Sequence, residues 1–376
     1  MKILIVPDSF KESLSATQAA HAMARAVQKV LPQASFTLLP FSDGGEGAFE
    51  LLTQAQQGKT IVCNTQDPLG RAIRAPYFLF NDEKTAWIEL SQASGLSLLS
   101  EPEKNPLKTN TYGTGIQILN ALDRGAKKII LGLGGSATHD MGMGIFTALG
   151  GKLLDQNQQT IVPNGENLGA IYSLYDQWDS RVRNTPFVMA CDVTNPLLGP
   201  LGAAAVYASQ KGANASMVDQ LENNSAQLAS RILATTGKDI TTFPGGGAAG
   251  GTAAGLSPFL DAQCQSGFDL LAGFCGLEEK IKKADLILTG EGHLDKQSSY
   301  GKVVSKLIHY AQKEATPVWA YAGRISATAK QLKKMGLQKA FAITPDQMDF
   351  QTAKPLAANF LQKQVEHSLK NTIKWG

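Results

Sequence analysis

The sequence is short of several features that would narrow its function at once. It has four cysteines, Cys63, Cys191, Cys264 and Cys275, with no Cys-x-x-Cys pair and no His or Cys cluster at zinc spacing. They read as reduced thiols in a reducing compartment. No run approaches the roughly 18 apolar residues of a membrane span. Pro7 and Asp8 interrupt MKILIVPDSF before it is long enough for a signal peptide, so a cytoplasmic protein is expected. Basic and acidic side chains nearly balance, 35 Lys and Arg against 32 Asp and Glu, with no basic block. Neither nucleic acid nor an anionic membrane is therefore an expected partner. No G-x-x-x-x-G-K-[ST] occurs either, so any ATP chemistry must run without a P-loop of that type.

What the chain has is glycine, 37 residues in 376, gathered in a few loops. The length suggests two domains. Lys127 to Gly151 organises the reading. Ile129-Ile130-Leu131 is a buried-strand run, broken by Gly132-Leu133-Gly134-Gly135-Ser136. Thr138 or Asp140 can cap a helix with Met141, Ile145 and Leu149 on its apolar face. Strand, glycine turn and helix is an arrangement that binds phosphate through backbone N–H groups. A following run, Lys152 to Asp155, would complete a βαβ unit. Gly132-x-Gly134-x-x-Ala137 also fits the loose dinucleotide fingerprint, with Asp155 about 20 residues on as the ribose-binding acid. A tight turn that binds nothing is the plain alternative.

The same theme recurs along the chain. KILIV (2–6) reads as a strand, followed by Asp8, Ser9 and Lys11 at its carboxyl end, where open α/β sheets bind ligands. Ser13 or Ser15 can cap a helix from Ala16 to Leu31. FTLLPF (36–41) leads to Ser42-Asp43-Gly44-Gly45-Glu46-Gly47, whose acids suit hydroxyl or cation binding, or helix capping. From Gly58 to Leu90, short alternating runs indicate antiparallel strands. Arg71 and Arg74 there can meet an anion or stand as exposed strand residues.

FVMAC (187–191) precedes Asp192, a candidate base or metal ligand. Pro244 to Gly251 is a second glycine loop, opening a small-residue helix that permits close backbone packing or another anion nest. ADLIL (284–288) precedes a loop with Glu291, Asp295, Gln297 and Lys302, a magnesium or phosphate edge; His293 there receives no catalytic role. PVWAYAG (317–323), AFAIT (340–344) and a closing helix from Ala357 complete the chain.

Helix-connected parallel strands at both ends and a mixed middle predict an α/β protein. One doubly wound parallel-sheet domain, 1–65 with 280–376, would carry an inserted mixed-sheet α/β domain, 66–279. A cleft between such domains is a natural place for a site.

Taken together, PDSFKESLSA (7–16), SDGGEGA (42–48), LGLGGSATHDMG (131–142), CDVTNPLLGPLGA (191–203), QKGA (210–213), GGGAAGGTAAGL (245–256) and TGEGHLDKQS (289–298) resemble the bacterial ATP-dependent glycerate kinases without a P-loop. The resemblance runs in order over essentially the whole chain. It implies phosphoryl transfer from Mg-ATP to D-glycerate, usually giving 2-phosphoglycerate, and a discontinuous flavodoxin-like domain with a second inserted in it. The chain departs from the family pattern at Glu12, His139, Met141, Ala208-Ser209 and His293; the family usually has Asn where His139 stands and Gly where Met141 stands.

Residue chemistry then assigns candidate roles. Gly134, Gly135 and Ser136, with Gly246, Gly247 and Gly250, would cradle ATP phosphates. Glu291 and Asp295 would hold Mg²⁺. Lys11 and Lys211 would neutralise the substrate carboxylate or the moving phosphoryl. Asp43 or Asp192 would take the hydroxyl proton. Ser9, Glu46 and Arg71 complete the substrate contacts. D-glycerate is the expected partner, and a homodimer is allowed. The rival readings are a nucleotide-dependent oxidoreductase of a small hydroxy acid and a non-catalytic sugar-acid-binding protein.

Overall fold

The computed structural model describes residues 1–10, 13–45, 47–55, 57–294, 303–345 and 347–372. Its strands are β1 (Lys2–Pro7), β2 (Ser35–Leu38), β3 (Gly58–Gln66), β4 (Ala72–Phe80), β5 (Thr85–Glu89), β6 (Lys128–Gly132), β7 (Lys152–Leu154), β8 (Ser173–Tyr175), β9 (Phe187–Ala190), β10 (Gln263–Gln265), β11 (Leu286–Leu294), β12 (Val318–Ile325) and β13 (Lys339–Ala342). The chain divides into two compact units, residues 1–43 with 271–376, and residues 44–270.

The first unit holds a sheet in the order β13-β12-β11-β1-β2, with every neighbouring pair parallel. Its apolar runs are buried as parallel strands require: Ile3, Ile5, Leu286, Leu288 and Tyr321 lie in one core with Met23, Val27, Leu361 and Val365. The helix Ala16–Val30 starts at Ser15, whose hydroxyl accepts from the Gln18 N–H while the Gln18 side chain accepts from the Ser15 N–H. It pairs with the closing helix Ala357–Thr372, clipped by Lys29–Glu366 at 2.8 Å.

The second unit holds a mixed sheet, β10-β9-β6-β5-β4-β3. β3, β4 and β5 run antiparallel, and β5, β6, β9 and β10 run parallel. The antiparallel texture expected from Gly58 onward is therefore present. The units divide at 43/44 and 270/271, whereas the sequence places the boundaries near 65 and 280. β3 pairs along its whole length with β4, which ties residues 58–66 to the mixed sheet.

Two local expectations need correction. β7 does not return to β6 in a βαβ unit; it pairs antiparallel with β8 in a separate ribbon. The Thr289–His293 segment is not a loop after a strand but the outer half of β11, paired with β12 as far as Leu294.

Candidate active site

In the first unit, a cavity of about 360 Å³ opens at the carboxyl ends of the parallel strands. Asp8 and Ser9 line it from the end of β1, Glu291 and His293 from β11, and Arg324 from β12. The β1–β11 register sets Pro7 against Gly290, and the Asp8 N–H donates to the Gly290 carbonyl at 2.8 Å. The two strands thus bring Asp8 and Glu291 into one pocket. Glu291 is only 4% exposed. Asp8 accepts from the Ser9 N–H at 2.6 Å, which fixes the turn that presents Ser9. The His293 ring nitrogen Nε2 lies 3.0 Å from the Ser326 hydroxyl. β1 and β11 are where the strand order reverses direction, the place where such sheets open a ligand crevice.

In the second unit, the Gly134–Ser136 turn follows β6. Its helix begins only at Met143, so ten residues separate the end of β6 from the helix rather than a tight turn. Gly135 has φ +71°, in the left-handed region. The Gly135 carbonyl accepts from Leu96, and Ala137 donates to Ser94. The N–H groups of Gly134, Gly135 and Ser136 themselves donate to no acceptor among the described residues. A run of such groups around a left-handed residue has the form that can cradle an anion.

The loop is supported from beneath. The buried Asp140 carboxylate accepts from the Thr111 N–H and hydroxyl, both at 2.7 Å, and from the Gly144 N–H at 3.0 Å. It thereby ties the helix Met143–Ala148 to the start of the helix Tyr112–Asp123. Burial pushes the Asp140 carboxyl above its usual range, opposed by those hydrogen bonds. Lys211 is 3% exposed and donates to the Thr138 carbonyl at 2.7 Å. Burial pulls its pKa down to about 8, against the raising effect of Asp140. His139 is buried beside the Ser225 hydroxyl at 3.1 Å, and burial, helped by Lys211, lowers its pKa to about 3, so it is neutral. Met141 has φ +50°, a conformation natural to the glycine of the family pattern.

The second glycine loop behaves differently. The Gly246 N–H donates to Phe243 and the Gly247 N–H to Asn195. Gly250 has φ +63°, and a Cβ there would sit 2.2 Å from the Thr138 carbonyl oxygen. Gly250 thus serves close backbone contact with the 138–141 segment, while Gly246 and Gly247 lie against the backbone of Phe243 and of Asn195–Pro196.

Asp192 lies two residues past β9, half-buried, and accepts from the Phe268 N–H at 2.9 Å. Asp43 is exposed at the end of the first unit's N-terminal segment. Arg71 is engaged twice, by Asp67 and by Glu103. Lys11, Glu46, Asp295, Gln297 and Lys302 lie outside the described residues. Asp155, the acid of the dinucleotide reading, accepts from the Asn157 and Gln159 N–H groups at 2.8 Å in a surface turn beyond β7. That placement removes the oxidoreductase reading. Sequence reasoning named Asp140 as a cap for the helix start, where it accepts from the Gly142 and Gly144 N–H groups, but missed its bonds to Thr111, 29 residues away, and missed the cavity's cations, Arg324 and Lys354, because nothing local marks them.

Fold and site define an α/β protein of two units whose polar loops gather at the carboxyl ends of parallel strands. A profile described as "Glycerate kinase family" matches residues 3–373. A glycerate kinase of Halalkalibacterium halodurans is 40% identical over 366 residues, covering 97% of this chain and 96% of that protein. The glycerate 2-kinase of Escherichia coli K12 is 40% identical over 344 residues, covering 91% and 90%. A crystal structure from Salmonella typhimurium LT2, described as a candidate glycerate kinase 2, superposes with a TM-score of 0.81 at 36% identity over 99% of this chain and 98% of that one. The chain belongs to the glycerate kinase family.

Proposed function

We propose that this chain moves the γ-phosphoryl group of ATP to a hydroxyl of D-glycerate and yields 2-phosphoglycerate. It is an ATP-dependent phosphotransferase with an alcohol group as acceptor. The family match supports the reaction class, and the open N–H groups of Gly134–Ser136 are the observation that carries the site reading. The five-stranded unit is flavodoxin-like in this reading. Counted along its own segments the strand order is 2-1-3-4-5, with the mixed unit as the inserted domain.

Phosphoryl transfer asks mainly for positioning and charge neutralisation. The Gly134–Ser136 nest takes phosphate oxygens. Lys211 places a buried cation at Thr138, just behind that nest, and holds the loop in shape. Gly246, Gly247 and Gly250 contribute by keeping the neighbouring backbone close rather than by donating to phosphate. Glu291, with Asp295, is the candidate Mg²⁺ carboxylate, and Asp8 adds an acid in the same cavity. Among the described residues no group of three or more His, Cys, Asp or Glu could hold a metal. Mg²⁺ needs only one or two protein carboxylates beside phosphate and water, so Glu291 and Asp8 in one cavity fit that need. When bound, the ion offsets charge on the transferring group. Ser9, Lys11 and Glu46 meet the acid and its hydroxyls, and Asp43 or Asp192 accepts the hydroxyl proton.

The test is ADP release with Mg-ATP and D-glycerate, with phosphorus NMR of the product. Glycerate-dependent ADP and a 2-phosphoglycerate resonance are expected. A folded protein that binds glycerate and releases no ADP would instead be the non-catalytic acid-binding protein. Asp192→Asn and Asp43→Asn separate the two candidate bases. The true base should lose on the order of 10²-fold in kcat, and two near-normal variants would remove both.

A further inference from the structure

We infer that Arg324 and Lys354 are the acid-recognising cations of the first unit's cavity. They bind the carboxylate of the hydroxy acid. The inference rests on the kinase reading above and adds the residues that select an acid over a neutral alcohol.

Glycerate is an anion, so its pocket calls for a cation to meet the carboxylate. Of the cations the sequence offers, Lys11 lies outside the described residues, Lys211 is buried on the Thr138 carbonyl, and the Arg71 guanidinium is held by Asp67 and Glu103 in the second unit. Arg324 and Lys354 line the same cavity as Asp8 and Glu291. Among the described residues neither forms an ion pair. Arg324 makes one hydrogen bond, from Nη2 to the Met348 carbonyl at 3.2 Å, which steadies the group and leaves other N–H donors of the fork available. Lys354 is half-buried on the 3₁₀ turn Lys354–Leu356, before the closing helix.

Geometry adds the orientation. β12 pairs with β11 so that Arg324 lies beside His293, two residues beyond Glu291 on its strand. The strand ends therefore set acids on β1 and β11 and cations on β12 and the 354 turn. At about 360 Å³ the cavity is far larger than a three-carbon acid, so steric fit cannot fix the substrate. Opposed charges can, because an arginine fork matches a carboxylate bidentately.

The test uses the full-length protein with Arg324→Met, Lys354→Met, the double variant and the conservative Arg324→Lys, each checked for folding by thermal unfolding. KM is measured separately for D-glycerate and ATP, and glycerol serves as the acceptor lacking a carboxylate. Each single variant should raise KM for D-glycerate roughly tenfold or more, with KM for ATP changed less than about twofold. The double variant should lose most of its preference for D-glycerate over glycerol, and Arg324→Lys should recover part of it. An unchanged KM for D-glycerate overturns the inference. So does a rise in KM for ATP alone, which would assign the cations to phosphate. If the wild type releases no glycerate-dependent ADP, the kinase reading fails by itself. Calorimetric titration of D-glycerate into wild type and double variant then still decides the subsite: tenfold weaker binding supports it, and equal affinity overturns it.

Discussion

The two glycine loops of the second unit look alike in sequence and do opposite things. Gly134-Gly135-Ser136 leaves three consecutive N–H groups without an acceptor among the described residues, at the end of a central parallel strand. In the 245–251 loop, the Gly246 and Gly247 N–H groups go to Phe243 and Asn195, and Gly250 is pressed against Thr138. Glycine permits both, because a missing side chain allows either a ligand or another backbone to come close. The difference lies in where the N–H groups are already committed. The packed loop abuts the segment that continues the open one, so the second glycine cluster shapes the first.

Four perturbations sharpen or break that contrast. The largest effect should come from Gly250→Ala. Its Cβ would meet the Thr138 carbonyl oxygen at 2.2 Å, at a positive φ. A loss on the order of 3 kcal/mol is expected from overpacking and backbone strain, read as a lower urea midpoint. Wild-type stability would show that the two loops are not in forced contact.

The next effect is a pH dependence. Lys211 has its folded pKa lowered to about 8 from 10.5 by burial. Between those values the unfolded chain holds the proton and the folded chain does not, so this group makes stability rise with pH. Below about 8 both states are protonated and its penalty is constant. Urea unfolding at pH 8, 9 and 10 should show a rising contribution in wild type that Lys211→Met lacks. Parallel curves would mean that the ammonium is not desolvated.

Third, Gly135→Ala and Gly246→Ala compare the loops directly. Gly135→Ala should raise KM for ATP about tenfold, an effect of ~1.4 kcal/mol, by disturbing a left-handed residue in the nest. Gly246→Ala, whose Cβ would meet the Phe243 carbonyl at 2.8 Å, should lower thermal stability and leave KM for ATP near wild type. Equal KM changes would erase the distinction. The smallest effect belongs to Arg71→Met. Its guanidinium is already held by Asp67 and Glu103, so KM for D-glycerate should not change. A large rise would return Arg71 to the substrate.

Much of the fold is legible locally. KILIV, ADLIL and FVMAC are short apolar runs next to polar turns, and they form parallel strands because such strands bury both faces. Ser15 and Gln18 announce the first long helix through three-residue spacing alone. The motif order fixes the family, since seven fragments in register leave little freedom. Some local signals misled. Leu153–Leu154 has the composition of a sheet strand, but its partner β8 lies in a separate ribbon. Glu291 sits among loop-forming glycines yet belongs to β11, because β12 supplies the pairing.

The sequence by itself determined the alternation of strands and helices and the candidate acids, because propensity, capping and strand-end position act over a few residues; the reaction class came from the resemblance its motifs carry to a known family. Only the tertiary structure decided which polar groups remain available. Arg71 is paired with Glu103, 32 residues away, Asp140 accepts from Thr111, and Asp8 and Glu291, 283 positions apart in the chain, line one cavity. Hydrogen bonds and charges are satisfied in space, by partners that chain separation does not mark. A residue's chemistry can be read from the sequence, but whether that chemistry is already spent is settled by the fold.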